Sequence, residues 1–282
     1  MKKIKNPPAV LYAVGNLELL NKDCIAIVGT RNITEYGINN CKYFAKKLTQ
    51  NGIPIISGMA LGTDTVAHKT VIQYGGETIA VLGSGFNNVF PKENLGLFEK
   101  IIENNGLVIT EYPENIVAKS KNFLQRNRIV SGLSEGVLVI ESAYRSGTSV
   151  TAKLAYSQGK KVMALPGRLD SSYGVGVNKL IQNGAKLITD VEDILEEFPQ
   201  FDNKMWKTDV AKQENIFNIY IENNEYAEVM RVLQGKTLSV EEIYNQLPNK
   251  TLREVLNLLT NMELENYIVQ ELGEGYRISE KI

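Results

Sequence analysis

Six short apolar runs, separated by stretches with helical spacing, constrain the fold of this chain more than any other feature. They are CIAIV at 24–28, IPIIS at 53–57, ETIAVL at 77–82, LVIT at 107–110, GVLVI at 136–140 and KVMAL at 161–165. Strands that alternate with helices predict an α/β fold with a parallel sheet and crossover helices. Because the runs are apolar throughout, we expect helices to cover both faces of the sheet.

The sequence predicts a large sheet domain followed by a smaller domain. Residues 1–23 are interpreted as an N-terminal lead-in, and the sheet domain as 24–198. Residues 199–221 mix polar residues with isolated aromatics without a sustained period, which indicates a linker. Residues 222–282 have the pattern of three helices and a two-stranded hairpin, with Ser239 as a helix cap, which predicts a small C-terminal winged-helix domain.

The scarcity of histidine and cysteine excludes several chemistries. The 282 residues include one histidine, His68, and two cysteines, Cys24 and Cys41. A structural zinc site needs about four such ligands, and a catalytic triad would have to use His68. Asp64 would share a helix face with His68, but no nucleophile accompanies the pair, so a structural role for His68 is favoured. We expect no catalytic residue, no metal site and no cofactor.

Features of the sequence also bear on where the protein acts. The N-terminal MKKIKNPPAVLYAVG breaks its apolar run at Pro7 and Pro8 and has no small-residue cleavage site, so secretion is not expected. No run approaches the length of about 18 uncharged apolar residues that a membrane span needs. Two cysteines do not make a disulfide framework in a chain of this length. A cytoplasmic protein with no membrane partner is predicted.

Turns rich in glycine, serine and threonine follow several of the predicted strands. Such turns at the carboxyl ends of parallel strands form a polar rim, which is where open α/β sheets bind ligands. Backbone amides at strand-to-helix turns favour an anion, and Arg31 adds a fixed cation beside the first turn. The candidate anion-binding positions are Gly29, Thr30, Ser57, Gly58, Gly62, Gly83, Ser84, Gly85, Ser146, Gly147 and Thr148.

The most basic segment, AKSKNFLQRNRIVSG at 118–132, contains no acidic residue. Its cations are Lys119, Lys121, Arg126 and Arg128, and they flank Phe123. Cations interleaved with an aromatic ring suit a single-stranded nucleic acid, because phosphates pair with the cations and a base stacks on the ring. The arginines directly precede an apolar pair, which predicts them at the start of a helix. There they would oppose the helix dipole and so would serve a ligand.

The motifs carry a resemblance to a known family across residues 24–190. IAIVGTR, SGMALGTDTVAH, GGETIAVLGSG, RNRIVSGLSEGVLVIESAYRSGTSVTA and PGR with the following VNKLIQNGA occur in the order and spacing of the bacterial DNA-processing protein A family, also called Smf. The resemblance implies an extended Rossmann-like sheet domain that binds single-stranded DNA in a basic pocket, forms a homodimer and catalyses no known reaction. It also implies that the protein protects single strands and loads the RecA recombinase onto them.

By position, the resemblance assigns DNA contacts to one residue of the first glycine turn and to the basic segment. These residues are Arg31, Lys121, Phe123, Arg126 and Arg128, with Lys119 as a neighbouring candidate. The motif around Arg31 is intact, so its assignment follows most directly from the resemblance.

Two other classes of function remain open at this point. A nucleotide-processing enzyme of a related Rossmann-like fold, of the phosphoribohydrolase type, would share the glycine-rich strand ends. Such enzymes add a PGGxGT-type turn with a following glutamate, whereas SGTSVTA at 146–152 offers no acid. A transcriptional regulator would use the C-terminal domain on duplex DNA. Glu254, Glu263 and Glu265 on its candidate recognition helix would be repelled by phosphate, which favours protein contacts instead.

The charge is distributed unevenly along the chain. The whole chain has 31 Lys and Arg against 32 Asp and Glu, a net charge of −1. Residues 222–282 carry 6 Lys and Arg against 11 Asp and Glu, whereas residues 1–221 carry 25 against 21. An excess of positive charge on one domain is typical of a polyanion site there.

Overall fold

The computed structural model describes residue 4 and residues 6–201, 224–233, 236–264, 267–271 and 275–279. These residues fall into two compact units, one within Met1–Asn203 and the other within Lys204–Ile282. None of the helices described in either unit is both long and apolar enough to cross a membrane.

The first unit contains an eight-stranded sheet in the order β1-β5-β4-β3-β2-β6-β7-β8. All six predicted strands are present and parallel to one another, as expected. The predicted lead-in adds β1, which pairs antiparallel with β5 at one edge, and β8 is added at the other edge. The strands are β1 Tyr12–Gly15, β2 Ile25–Val28, β3 Ile55–Ser57, β4 Thr78–Leu82, β5 Leu107–Thr110, β6 Gly136–Val139, β7 Lys161–Ala164 and β8 Lys186–Leu187.

Helices cover both faces of this sheet, which confirms the interpretation of the apolar runs. The helices are α1 Glu35–Gln50, α2 Thr63–Gln73, α3 Leu95–Glu103, α4 Ser120–Leu133, α5 Gly147–Ser157, α6 Ser172–Gln182 and α7 Glu192–Glu197. Successive residues of β2 alternate between the faces: Ala26 packs with the core that α4, α5 and α6 form, and Ile27 with the core that α1 and α2 form. The strands are therefore buried on both sides.

Two sequence expectations need correction in this unit. Helix α4 begins at Ser120, so Arg126 and Arg128 lie in its interior and not at its start. Their guanidinium groups therefore do not lie at the helix start, where they would have opposed the helix dipole. Pro199–Phe201 form a turn of 3-10 helix, and the buried Phe201 ring packs 5.7 Å from that of Phe198. The sheet unit thus extends beyond the boundary predicted at 198, and residues 202–221 of the predicted linker lie outside the described residues.

The described residues of the second unit form three helices and an antiparallel pair of strands around a core of their own. They are α8 Asn224–Val232, α9 Val240–Asn245, α10 Leu252–Leu264, β9 Ile268–Glu271 and β10 Gly275–Ile278. Val229, Ile243 and Leu259 are fully buried in that core. Ser239 caps α9 in a capping box with Glu242, as the sequence predicted. The assignment of these elements to the winged-helix class stays a prediction.

Candidate nucleic-acid interface

A cleft of about 380 Å³ opens at the carboxyl end of β2. Strand β2 lies between β3 and β6, so the chain order of the sheet reverses there, and ligands of open α/β sheets bind at such a point. The turn after β2, the turn after β3, one side of α4 and the start of α5 line the cleft. The lining residues are Val28, Gly29, Thr30, Arg31, Gly58, Ala60, Asp64, Phe123, Leu124, Arg126, Asn127, Val130, Ser146, Gly147, Thr148 and Thr151.

Helix α5 begins in this lining. Ser146 is its N-cap, and the Ser146 side chain accepts a hydrogen bond from the Ser149 amide at 3.3 Å. The hydroxyl of Thr148 donates to the Gly29 carbonyl at 2.9 Å and so joins the start of α5 to the turn after β2. The first amides of a helix have no partner within the helix and carry a partial positive charge. An anionic group in the cleft would therefore be stabilised at this end of α5.

Of the predicted anion-binding positions, only some line the cleft. Gly29, Thr30, Gly58, Ser146, Gly147 and Thr148 do, whereas Ser57, Gly62, Gly83, Ser84 and Gly85 do not.

The positions outside the cleft are hydrogen-bonded to, or packed against, other parts of the protein. The Ser57 hydroxyl donates to the Ile27 carbonyl at 2.6 Å, and the Gly85 amide donates to the Ile116 carbonyl at 2.8 Å. Gly62 has a φ of 77° and lies against the carbonyls of Thr30 and Arg31, where no Cβ would fit. Ser84 is buried.

Arg126 forms part of the floor of the cleft. Its side chain is only 3% exposed, and Nη1 donates to the carbonyls of Gly58 and Val81 at the ends of β3 and β4. Burial lowers the pKa of Arg126 to about 10, although the neighbouring Asp64 carboxylate opposes the shift. At neutral pH the guanidinium therefore keeps its charge. Arg126 joins α4 to two strands as well as contributing positive potential to the cleft.

Asp64 is the acidic residue in the cleft lining. Its carboxylate accepts a hydrogen bond from the Ala60 amide at 3.2 Å. Burial raises the pKa of Asp64, while Arg126 and the surrounding hydrogen bonds lower it. From the sequence Asp64 is expected only as a partner of His68, because Arg126 lies 62 positions away in the chain and only the fold brings it near the Asp64 carboxylate.

Arg31 and Phe123 lie against each other at the mouth of the cleft. The Arg31 side chain is exposed, and its guanidinium carbon lies 5.3 Å from the centre of the Phe123 ring. The ring also lies on Gly83, where a Cβ would come within 2.7 Å of Phe123 Cδ1. The structure therefore brings together the glycine turn and the basic segment, as the sequence predicted from separate motifs.

The other predicted cations lie away from this point. Lys119 precedes α4 and Lys121 lies in its first turn, both exposed and outside the cleft lining. Arg128 is also outside the lining, and its guanidinium forms an ion pair of 2.6 Å with Glu111 and donates to the Asn6 carbonyl at 3.0 Å. Arg128 is thus held by protein groups, and its assignment as a DNA contact stays a prediction.

His68 is fully buried on α2, in agreement with the structural role favoured for it. Its Nδ1 lies 2.7 Å from the Thr78 hydroxyl oxygen, and that hydroxyl donates its own hydrogen to the Ile55 carbonyl at 2.8 Å. Thr78 can therefore only accept from the ring, which places the imidazole proton on Nδ1. Burial lowers the pKa of His68 to about 3, with a smaller contribution from Arg126, so the ring is neutral at physiological pH.

Residues 1–199 match the model of the family described as DNA recombination-mediator protein A. The chain belongs to this family. Members of the family mediate recombination and are not enzymes, which decides against the nucleotide-processing alternative.

Similar proteins are found at the levels of sequence and structure. The chain is 43% identical over 201 residues to the DNA processing protein DprA of Bacillus subtilis (strain 168), which covers 71% of this chain and 67% of that one. The X-ray structure of DprA from Streptococcus pneumoniae matches with a TM-score of 0.67 and 38% identity, over 70% of this chain and 69% of that one. The sheet unit thus has the Rossmann-like fold of this family.

A second solved structure bears on the ligand of a relative. The structure of DNA processing protein A from Helicobacter pylori, described as showing a single-stranded DNA binding mode, matches with a TM-score of 0.64 and 32% identity. The match covers 70% of this chain and 90% of that one.

Proposed function

We propose that the cleft at the end of β2 binds single-stranded DNA, and that the protein protects the strand and loads the RecA recombinase onto it. The observation that carries this proposal is the position of Arg31, an exposed cation that lies over the Phe123 ring. A cation beside an aromatic ring suits a phosphate and an unpaired base. Membership of a family of recombination mediators and the binding mode described for the Helicobacter pylori relative support the same ligand.

The geometry suggests how a strand would lie. A phosphate near Arg31 would also be close to the start of α5, since Arg31 and Gly147 line the same cleft. The adjacent sugar and base would lie towards Phe123. Lys119 and Lys121, exposed around the start of α4, would contact phosphates farther along the strand. Arg126 would act mainly by shaping the cleft and adding to its potential, because its guanidinium is already bonded to two carbonyls.

We propose that the protein works as a homodimer in the cytoplasm, with the sheet unit as its DNA-binding domain. Residues 222–282 would be a winged-helix domain, and their 11 acidic against 6 basic residues favour contacts with protein over contacts with duplex DNA.

The DNA-binding proposal is tested by fluorescence anisotropy with a labelled oligothymidylate over a salt series. We expect Arg31→Ala to weaken binding by roughly tenfold at low salt and to reduce the slope of log affinity against log salt by about 0.7, the value for one lost phosphate contact on a single strand. Arg128→Ala should have a smaller effect, because Arg128 is already paired with Glu111.

Lys100→Ala is the matched control, since Lys100 is an exposed cation on α3 outside the cleft. It should leave both the affinity and the salt slope close to those of the unmodified protein. Equal affinities for Arg31→Ala and Lys100→Ala would contradict the assignment of the cleft. The RecA-loading part is measured separately, as the rate at which RecA filaments assemble on single strands coated with a single-stranded DNA-binding protein. An unchanged rate on adding this protein would refute that part.

A further inference from the structure

Phe90 is an aromatic residue that the proposed DNA contacts do not use. Its side chain is 49% exposed, a large fraction for a ring that lies next to other apolar groups. Together with Pro91 and Phe123 it lines a second cleft of about 350 Å³. The full lining is Arg31, Ala60, Leu61, Phe90, Pro91, Lys92, Glu93 and Phe123.

The second cleft is continuous with the first, because Arg31, Ala60 and Phe123 line both. Their chemistry differs. The first contains the start of α5 and the polar turn after β2, which suit a phosphate. The second is lined by the rings of Phe90 and Phe123 with Leu61 and Pro91, which suit the apolar face of a base. A nucleotide has both groups, so one strand could occupy both clefts with its phosphate at Arg31.

Phe123 itself offers little free ring surface. Its ring rests on the backbone of Gly83, and the Arg31 guanidinium lies over it. Phe90 packs beside it with the ring centres 5.6 Å apart and the planes tilted by 44°. Of the two rings, Phe90 therefore has the greater open surface, and Phe123 supports both Phe90 and Arg31.

We propose that Phe90 is the residue on which a nucleobase of the bound single strand stacks, and that Phe123 positions Phe90 and Arg31. This inference rests on the proposed function, and it adds a base-binding subsite in the second cleft. The subsite recognises any base through its aromatic face, so it contributes affinity without sequence preference.

The test compares Phe90→Leu with the unmodified full-length protein on two strands, an oligothymidylate and an abasic strand with the same number of phosphates. Leucine keeps apolar bulk but removes the ring. We expect Phe90→Leu to weaken binding to the oligothymidylate by roughly tenfold, within the range for loss of one stacked base. On the abasic strand the two proteins should bind equally. Phe90→Tyr, which keeps the ring, should restore binding to the oligothymidylate.

Controls separate this inference from the function on which it rests. Tyr156→Leu removes another partly exposed ring, at the end of α5 and outside both clefts, and should not change the affinity for either strand. If Arg31→Ala weakens binding to both strands while Phe90→Leu changes neither, the cleft binds DNA but the stacking subsite is refuted. An equal loss on both strands for Phe90→Leu would also refute it, because the ring would then act on the protein and not on a base. If Arg31→Ala has no effect, the proposed function itself fails.

Discussion

At the scale of single residues, the clefts combine exposed groups with buried ionisable groups underneath. Arg31 and Phe90 are open to solvent, whereas Asp64, His68 and Arg126 are buried. Burial disfavours the charged form of each buried group: it raises the pKa of Asp64 and lowers those of His68 and Arg126. The titration of these groups therefore makes the stability of the sheet unit depend on pH.

The first prediction concerns His68. In the unfolded chain an imidazole takes up a proton as the pH falls below 6.5, whereas in the folded protein it does so only near pH 3. Between these values the unfolded state binds more protons, so the free energy of unfolding falls as the pH falls, by up to about 1.4 kcal/mol per pH unit. His68→Gln should remove this contribution, whatever its effect on stability at pH 7.

The free energy of unfolding of both proteins is measured with urea at a series of pH values between 6.5 and 4. The series begins at pH 6.5 because that is the ordinary pKa of histidine. Because His68 is the only histidine in the sequence, no other imidazole contributes to the difference. Asp64 and the other carboxyl groups are present in both proteins, so their titration cancels to first order. Parallel stability curves for the two proteins would show that His68 is not held neutral in the folded state.

At the scale of elements, the start of α5 has two roles that can be separated. Ser146 caps the helix, and it also lies in the lining of the first cleft. The cap stabilises the helix because its hydroxyl accepts from an amide of the first turn. The cleft, by contrast, requires that this end of the helix present no negative charge to a phosphate.

The second prediction uses two substitutions at Ser146. Ser146→Ala should lower the free energy of unfolding by about 1 kcal/mol, because the capping hydrogen bond is lost. Ser146→Asp retains a capping oxygen, so its stability should remain near that of the unmodified protein, but its charge should weaken oligothymidylate binding at low salt. Chemical denaturation and fluorescence anisotropy measure the two effects. If the Ser146→Asp protein binds the oligothymidylate as tightly as the unmodified protein, the phosphate does not lie at the start of α5.

At the scale of the whole molecule, the uneven distribution of charge can be interpreted once both clefts are located in the sheet unit. Residues 1–221 have 25 basic against 21 acidic residues, and they contain both clefts. Residues 222–282 have 6 against 11. The nearly neutral total therefore combines a positive part that would attract a polyanion with a negative part that would repel it.

The third prediction is that a chain ending at residue 221 binds oligothymidylate at least as tightly as the full chain at low salt. Truncation changes the net charge from −1 to +4, from 25 basic and 21 acidic residues. The difference in affinity should shrink as salt is added, since screening shortens the range of the repulsion. Affinities measured over a salt series for the two chains test this. Weaker binding by the shorter chain would show that residues 222–282 add contacts to the strand.

The elements predicted correctly from the sequence are those that a pattern of neighbouring residues marks. The six apolar runs predicted the six central strands, and Ser239 predicted the start of α9. The start of α4 was missed because Lys119, which lies at its N-cap, makes no side-chain capping bond that a sequence pattern could indicate. The edge strand β1 was not predicted; most of its residues are exposed, and its place in the sheet is set by antiparallel pairing with β5, which lies 92 to 98 positions away in the chain.

The sequence by itself determined the class of fold, the glycine turns, the basic segment and the family, because each depends on residues close together in the chain. The tertiary structure decided which of these residues meet. It placed Arg126 under the cleft and paired Arg128 with Glu111, and it set Phe90 beside Phe123. These contacts join residues 17 to 68 positions apart. Whether a cation faces a ligand or a protein group depends on packing between elements, which no local pattern encodes.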